Sequence, residues 1–249
     1  PVPWRPMAVT ASEPPRPGSA PWWLGRTRAR PERRPRKDGI TLERIVAVAV
    51  EVVQAEGHEA LTMRRLAERL GTGPASLYRH VAGRDELVAL VVDHVIGSLP
   101  RERPPRGDWR TRLEWLARRI RDHLLVHRAF VPLITSAQLL GPSSMRGREA
   151  VVSMLLRARF TPVDAVRTQL ILQHFIVATV QLEVRAAART PAERRQLREL
   201  FAGQDPARFP TVVAHAGVLA TQRSEDEFEF GLQAILDGVA PLQGDPPGA

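Results

Sequence analysis

The chain has no cysteine and a single tyrosine. The first absence excludes disulfides, thiolate metal sites and cysteine nucleophiles. The second, set beside abundant Ala, Leu, Val and Arg, favours helices over sheets. Lysine is almost missing: Lys37 is the only one among 36 basic residues. A GC-rich genome accounts for that bias, so the arginines are not a functional signal by themselves. No apolar run follows a basic start, so no secretory signal is expected. The longest uncharged stretch of the C-terminal half, residues 168–182, contains Gln169, Gln173, His174 and Gln181. It is shorter than the roughly 20 residues of a membrane span. A cytoplasmic location without a membrane partner is therefore expected. There is also no nucleophile turn, no phosphate-cradling glycine loop, and no metal-ligand pair beside a general base. Neither an enzyme, a cofactor nor a metal site is expected.

What is present is a helical pattern with a basic front. The 249 residues suffice for one large or two modest domains with real cores. The formal charge of +9 is unevenly placed. Residues 1–39 hold nine basic residues against Glu13, Glu32 and Asp38, so most of the surplus lies there. Residues 1–38 are rich in Pro, Arg and Ser and lack periodicity, and they read as a disordered tail. Met7 is a candidate start of the natural chain. Trp22, Trp23 and Leu24 give the tail its one apolar patch, which either packs on the domain or is idle. The basic run 26–37 either reaches a minor groove, binds phosphates without sequence preference, or stays solvated.

From residue 41 the punctuation is regular. Residues 41–56 carry Ile45, Ala49, Val52 and Val53 at helical spacing, and Gly57 ends the helix. Residues 61–87 read LTMRRLAERLGTGPASLYRHVAGRDEL. Thr62 can cap a helix over 63–70, and Gly71 can close it in the left-handed conformation. Thr72 and Gly73 turn the chain, and Pro74 opens a short helix to about His80. That helix is apolar only at Ala75, Leu77 and Val81; Ser76, Tyr78, Arg79 and His80 form its other face. A polar, donor-rich short helix suits the reader of a helix-turn-helix, though a surface hairpin would show the same pattern. A connecting helix over 84–99 follows, striped by Leu87, Leu90, Val91, Val95 and Leu99, and Pro100 stops it.

Beyond the linker 101–108, further helices are expected. Asp108 caps one to about His127, and a short helix surrounds 130–140. Ser143 caps 145–160, and a long helix runs from Thr161–Pro162 to about Arg189. A capping box at Thr190–Glu193 opens the next, a short helix covers 211–220, and a second box at Ser224–Glu227 opens the last. No strand is expected. The organisation is a tail (1–38), a DNA reader with its connecting helix (39–99), a larger helical domain (100–242) and a frayed end (243–249).

The residues Thr62, Arg64, Leu66, Ala67, Leu70, Gly71, Ser76, Leu77, Tyr78, His80, Val81 and the run 84–87 resemble the DNA-binding domain of the TetR family of bacterial transcriptional regulators. The His80-Val81 pair after Tyr78 looks most like its tetracycline-repressor branch, and so does EFEFGLQAILDG over 227–238. The resemblance implies an all-α fold. A three-helix helix-turn-helix domain would precede a larger helical domain for effector binding and dimerisation. Carried over, it assigns DNA contact to Thr62, Arg64, Pro74, Ala75, Ser76, Tyr78, Arg79, His80 and Arg84. Arg79 is the specificity candidate, because a guanidinium can pair with both acceptors of guanine. The implied partners are a palindromic double-stranded operator, a second copy of the chain and an unknown small-molecule effector.

Candidate effector contacts are Trp109, Trp115, His123, His127, Phe130, Gln138, Gln173, His174 and Gln181. Buried polar groups on an apolar helix must find partners, which here are a ligand or a dimer mate. Candidate dimer contacts are Phe175, Val177, Gly231, Ala234, Ile235 and Gly238; the same stripes could instead bury within one chain. Family members that hold tetracycline as a metal chelate use a histidine just after the connecting helix. That position falls here on Pro100, and 132–138 offers no second histidine, so a metal chelate is not expected. Two regulators remain open: a repressor released by its effector, and a DNA-binding protein without small-molecule input.

Overall fold

The computed structural model describes residues 14–28, 40–220 and 224–244. The other parts of the expected tail and end segments lie outside the described residues. The described chain is helical, and its one β-bridge joins Phe160 to Gln243.

The reader is built from α2 (Leu42–Glu56), α3 (Met63–Leu70) and α4 (Pro74–Leu77). Thr41 and Thr62 cap α2 and α3, each hydroxyl accepting from the N–H three residues on, and Gly71 closes α3 in the left-handed region at φ 64°. Ile45, Ala49, Val52 and Val53 of α2 meet Leu66 and Ala67 of α3 and Leu77, all essentially without exposed surface. The α-helix of the reading element stops at Leu77, short of His80, and a hydrogen-bonded turn from Leu77 to Val81 carries the chain on. The connecting helix α5 (Arg84–Gly97) packs on α2 through Leu87, Val91 and Val95.

The body contains α6 (Trp109–Val126), α7 (Val131–Ser136), α8 (Pro142–Arg157), α9 (Pro162–Ala187) and α13 (Ser224–Val239). Between α9 and α13 lie α10 (Pro191–Ala202), α11 (Pro210–Ala214) and α12 (Ala216–Ala220). The helix expected over 211–220 is thus broken at His215. Asp108 caps α6, Thr161 caps α9, and Thr190 with Glu193 forms a complete capping box on α10. α9 is the spine, with α6, α7, α8 and α13 packed on it. Its 26 residues are long and apolar enough for a membrane span by length and composition. Only 17% of its most apolar stretch is buried within the chain.

Three expectations are corrected. Ser143 does not cap α8. The helix starts three residues earlier than expected, at Pro142 behind Gly141, and Asp93 of α5 caps it from outside. The Asp93 carboxylate accepts from Ser143 N (2.9 Å) and Ser144 N (3.4 Å), so α5 and α8 are tied end to side. Within the tail read as disordered, Ala20–Arg28 forms a helix, α1. Trp23 is buried, a Cβ on Gly18 would touch Ala89 of α5, and Arg26 pairs with the buried Glu86 at 2.5 Å. The second oxygen of Glu86 accepts from Ala82 N, so α1 and the turn behind the reader share one carboxylate. The start of the expected frayed end is also fixed: Gln243 accepts from Trp109 Nε1 at 3.0 Å, and Gly244 N donates to Arg159 O.

Candidate DNA-binding element and effector cavity

The helix-turn-helix presents its polar side to solvent. Pro74, Ala75 and Arg79 are exposed, Ser76 and His80 are half-buried, and Tyr78 is 55% exposed although its neighbour Leu77 has no exposed surface. Leu77 and Val81 hold the element to the core, which frees the intervening side chains to face outward. Arg79 Nη2 donates to Ser76 Oγ at 2.8 Å, so the two are positioned together one turn apart. On α3, Arg64 projects into solvent, with only Glu68 at 3.8 Å beside it. Thr62 is exposed, but its hydroxyl is used as the cap of α3. Arg84 reaches back so that Nε donates to Leu61 O at 3.0 Å, joining the start of α5 to the loop before α3.

Arg65 points elsewhere. It holds Glu56 through two bonds, at 2.9 and 2.7 Å, and these keep the Glu56 carboxyl below its usual range. The reader is thereby closed on itself through an α2–α3 ion pair, while Arg64 and Arg79 stay available. Such an exposed set of two guanidiniums, a hydroxyl and a phenol on a sealed three-helix unit can bind phosphate oxygens and base edges.

A second feature lies at the far end of α5. A cavity of about 460 Å³ opens between α5, α6, α8 and α9. Ile96, Gly97, Leu99 and Pro100, at the end of the connecting helix, form one wall. Leu113, Leu116 and Ile120 of α6, Val151 of α8, and Leu172 and Ile176 of α9 supply most of the apolar remainder. Its size and mainly apolar lining, with few convergent polar groups, are those of a small-molecule site.

The structure brings three of the expected effector residues to this cavity: Trp115, His123 and Gln173. His123 Nε2 lies 2.9 Å from Val95 O and 3.3 Å from Ser98 Oγ, so a cavity side chain bonds directly to the end of α5. The other six lie outside the wall. Trp109 packs edge-on against Phe160. Phe130 is fully buried, in a 3₁₀ turn that packs on α2. His127 stacks edge-on between His123 and Phe130. Burial, with the His123 charge second, holds His127 below the ordinary histidine value. Gln138 and His174 are exposed, and Gln181 Nε2 reaches Thr135 Oγ1 at 3.5 Å. The wall also holds residues the sequence did not flag, among them Ser144, Arg148 and Gln169. They come from two successive helices, α8 and α9, and converge only where these pack together, so no periodicity within one helix joins them.

The expected dimer residues also divide. Val177 lines the cavity. Phe175 stacks on Phe228 of its own chain at 5.4 Å, and a Cβ on Gly231 would strike its ring, so this close approach is internal. Ala234 and Gly238 face outward and Ile235 is half-buried.

Comparison with known proteins agrees with both features. Residues 45–91 match the family described as bacterial regulatory proteins, tetR family, and residues 99–242 match the tetracyclin repressor-like C-terminal domain. The chain is 36% identical over 232 residues to the HTH-type transcriptional repressor DrrR1 of Streptomyces coeruleorubidus, covering 89% of this chain and 83% of that one. It is 29% identical over 198 residues to the class A tetracycline repressor of Escherichia coli, covering 79% and 88%. Among solved structures it resembles apo ActR of Streptomyces coelicolor with a TM-score of 0.75 and 32% identity, over 83% of this chain and 99% of that one. ActR has also been crystallised with actinorhodin and with (S)-DNPA. The chain belongs to the TetR family of bacterial transcriptional regulators.

Proposed function

We propose that the chain is a cytoplasmic homodimeric repressor that a small-molecule effector releases from a palindromic operator. The observation that carries this reading is the double attachment of α5. One end bears the reader, through Arg84 and the Ala82–Glu86 bond. The other end walls the cavity and is held by His123 and Asp93. A ligand that prefers one placement of this helix shifts the population of reader positions, which is what a change in operator affinity requires. The complex of ActR, a structural neighbour, with actinorhodin supports a small-molecule ligand for this chain. The apolar wall and Pro100 at the end of α5 speak against a metal chelate here.

The dimer rests on the outer faces of α9 and α13. Val163, Val166, Ile171 and Leu182 of α9 are about half exposed, and Phe230 of α13 is 77% exposed. Ala178, Ala234 and Gly238 beside them permit close approach. Patches of this kind on a folded chain mark an interaction surface, and a second copy would cover both helices in one bundle. Two readers so joined would address half-sites about 34–36 Å apart or somewhat more.

The test uses the intergenic DNA beside the chain's own gene as operator and actinorhodin as first ligand. Release from the wild-type protein, but not from Gly147→Trp, supports the proposal. Gly147 lines the cavity and a Cβ there meets no atom within 4 Å, so an indole can be placed at the cavity rim without a clash at Cβ. A complex that forms tightly and that neither actinorhodin nor other cavity-sized ligands release would favour a regulator without small-molecule input.

A further inference from the structure

The cavity lining carries a polar group centred on Arg148, and its unpaired atoms include donors. Arg148 of α8 is half-buried there, and among the described residues no carboxylate lies in ion-pair range of it. Its five N–H groups make two long bonds, Nη1 to Gln169 Oε1 at 3.4 Å and Nη2 to Leu139 O at 3.3 Å; Nε is buried without a partner. Gln169, itself 7% exposed, passes the polarity on: its Nε2 donates to Gln173 Oε1 at 3.1 Å. That bond fixes the orientation of Gln173 and leaves its own NH2 for the cavity. Ser144 Oγ, also in the wall, is buried with no partner.

The wider charge agrees. Four arginines line the cavity (Arg101, Arg119, Arg146 and Arg148) against one carboxylate, Glu102. Glu102 is committed to Arg119 at 2.6 Å, and Arg119 lies over the Trp115 ring. Asp93, the nearest acid on α5, accepts from Ser143 N with both oxygens. A partly buried guanidinium with only neutral acceptors and an unpaired, buried Nε favours an anion within its reach.

We propose that the effector is a largely apolar acid whose anionic group is received by Arg148, with Ser144 and Gln173 as hydrogen-bond donors. Its apolar body lies against Leu113, Leu172 and Ile176. This inference rests on the effector-cavity reading and specifies the ligand class.

Two fluorescent probes with the same aryl body test it. 8-Anilino-1-naphthalenesulfonate carries an anion, and N-phenyl-1-naphthylamine is its neutral counterpart. Each is titrated into the full chain, with Gly147→Trp defining the cavity-specific signal. The sulfonate should bind the tighter of the two. Arg148→Met, which keeps the stem and the helix propensity, should weaken the sulfonate by about 10- to 100-fold, as loss of a hydrogen bond to a charged group implies, and leave the neutral probe unchanged. Arg148→Lys should restore part of the loss, and thermal melts should show the variants folded. Equal binding of the two probes, or a sulfonate preference indifferent to Arg148→Met, overturns the anion inference and leaves the cavity reading standing. If neither probe gives a signal sensitive to Gly147→Trp, the cavity reading falls and the inference with it.

Discussion

Residues 40–100 and the body that follows solve burial differently. In the first, Tyr78 is the only large hydrophobic residue left exposed, and it stands on the DNA-facing element. In the second, Val163, Ile171, Leu182, Leu200, Val218 and Phe230 are all exposed, and a cavity lies among the buried residues. Both halves have the same helix-forming composition and the same capping devices. The difference lies in what remains unfilled. The reader completes its core within one chain and offers a polar face. The body leaves an apolar flank and a hollow, the two features that a second copy and a ligand would fill.

The contrast can be broken in order of expected size. The largest effect is on recognition. Arg79→Ala should remove about 1–3 kcal/mol of base discrimination from each half-site, since one bidentate guanidinium contact has that magnitude. A dimer loses it twice, while thermal stability stays close to wild type because Arg79 is exposed. Competition between operator and bulk DNA measures it. Next is the core of the reader: Leu66→Ala should cost about 2–5 kcal/mol in denaturant unfolding, as buried leucine truncation does in tight packing. Val151→Ala, on the cavity wall, should cost much less, because the wall already lacks neighbours on one side. Equal costs would contradict the contrast. Third, Phe230→Glu with Ile171→Glu should turn a dimer into monomers in sedimentation while helicity is retained. Fourth, Asp93→Ala should lose about 1 kcal/mol, the usual value of a helix cap, and loosen α5 from α8.

The smallest effect is on pH. His127 sits where the 3₁₀ turn meets α2, and its folded pKa lies below the ordinary 6.5. The unfolded chain therefore binds the proton first as pH falls. Stability from the neutral ring is full above about 6.5 and is lost as pH falls through that value towards the folded pKa. His127→Gln should flatten the decline of melting temperature between pH 7.5 and pH 5.5 relative to wild type.

These regions also differ in how far the sequence disclosed them. The reader was legible because its signals are local. Thr62, Gly71 and Pro74 each act on backbone within one turn, and the helix bounds 63–70 follow from them. The cavity was partly hidden because its wall is tertiary: Trp115, His123 and Gln173 carried a mark of their own, whereas Ser144, Arg148 and Gln169 matter only once α8 and α9 meet. Long-range contact also explains the misreadings. α1 lies in a Pro/Arg-rich context, and what orders it is Trp23 and the Arg26–Glu86 pair, 60 residues apart. The cap of α8 comes from Asp93, 50 residues upstream of Ser143.

The central claim is that sequence recognition lives in the helix-turn-helix of a dimer and not in the basic front of the chain. The direct measurement is fluorescence anisotropy with the intergenic DNA beside its own gene, across a salt series, for wild type, Arg79→Ala and a variant with Arg30, Arg33, Arg34, Arg36 and Lys37 changed to Gln, which keeps the packed α1 and its Arg26–Glu86 pair. The account predicts two chains per site and binding that withstands unlabelled bulk DNA. It also predicts that this binding is lost in Arg79→Ala and kept when the basic run is neutralised. Weak binding that falls steeply with salt and vanishes on neutralising the run would contradict it.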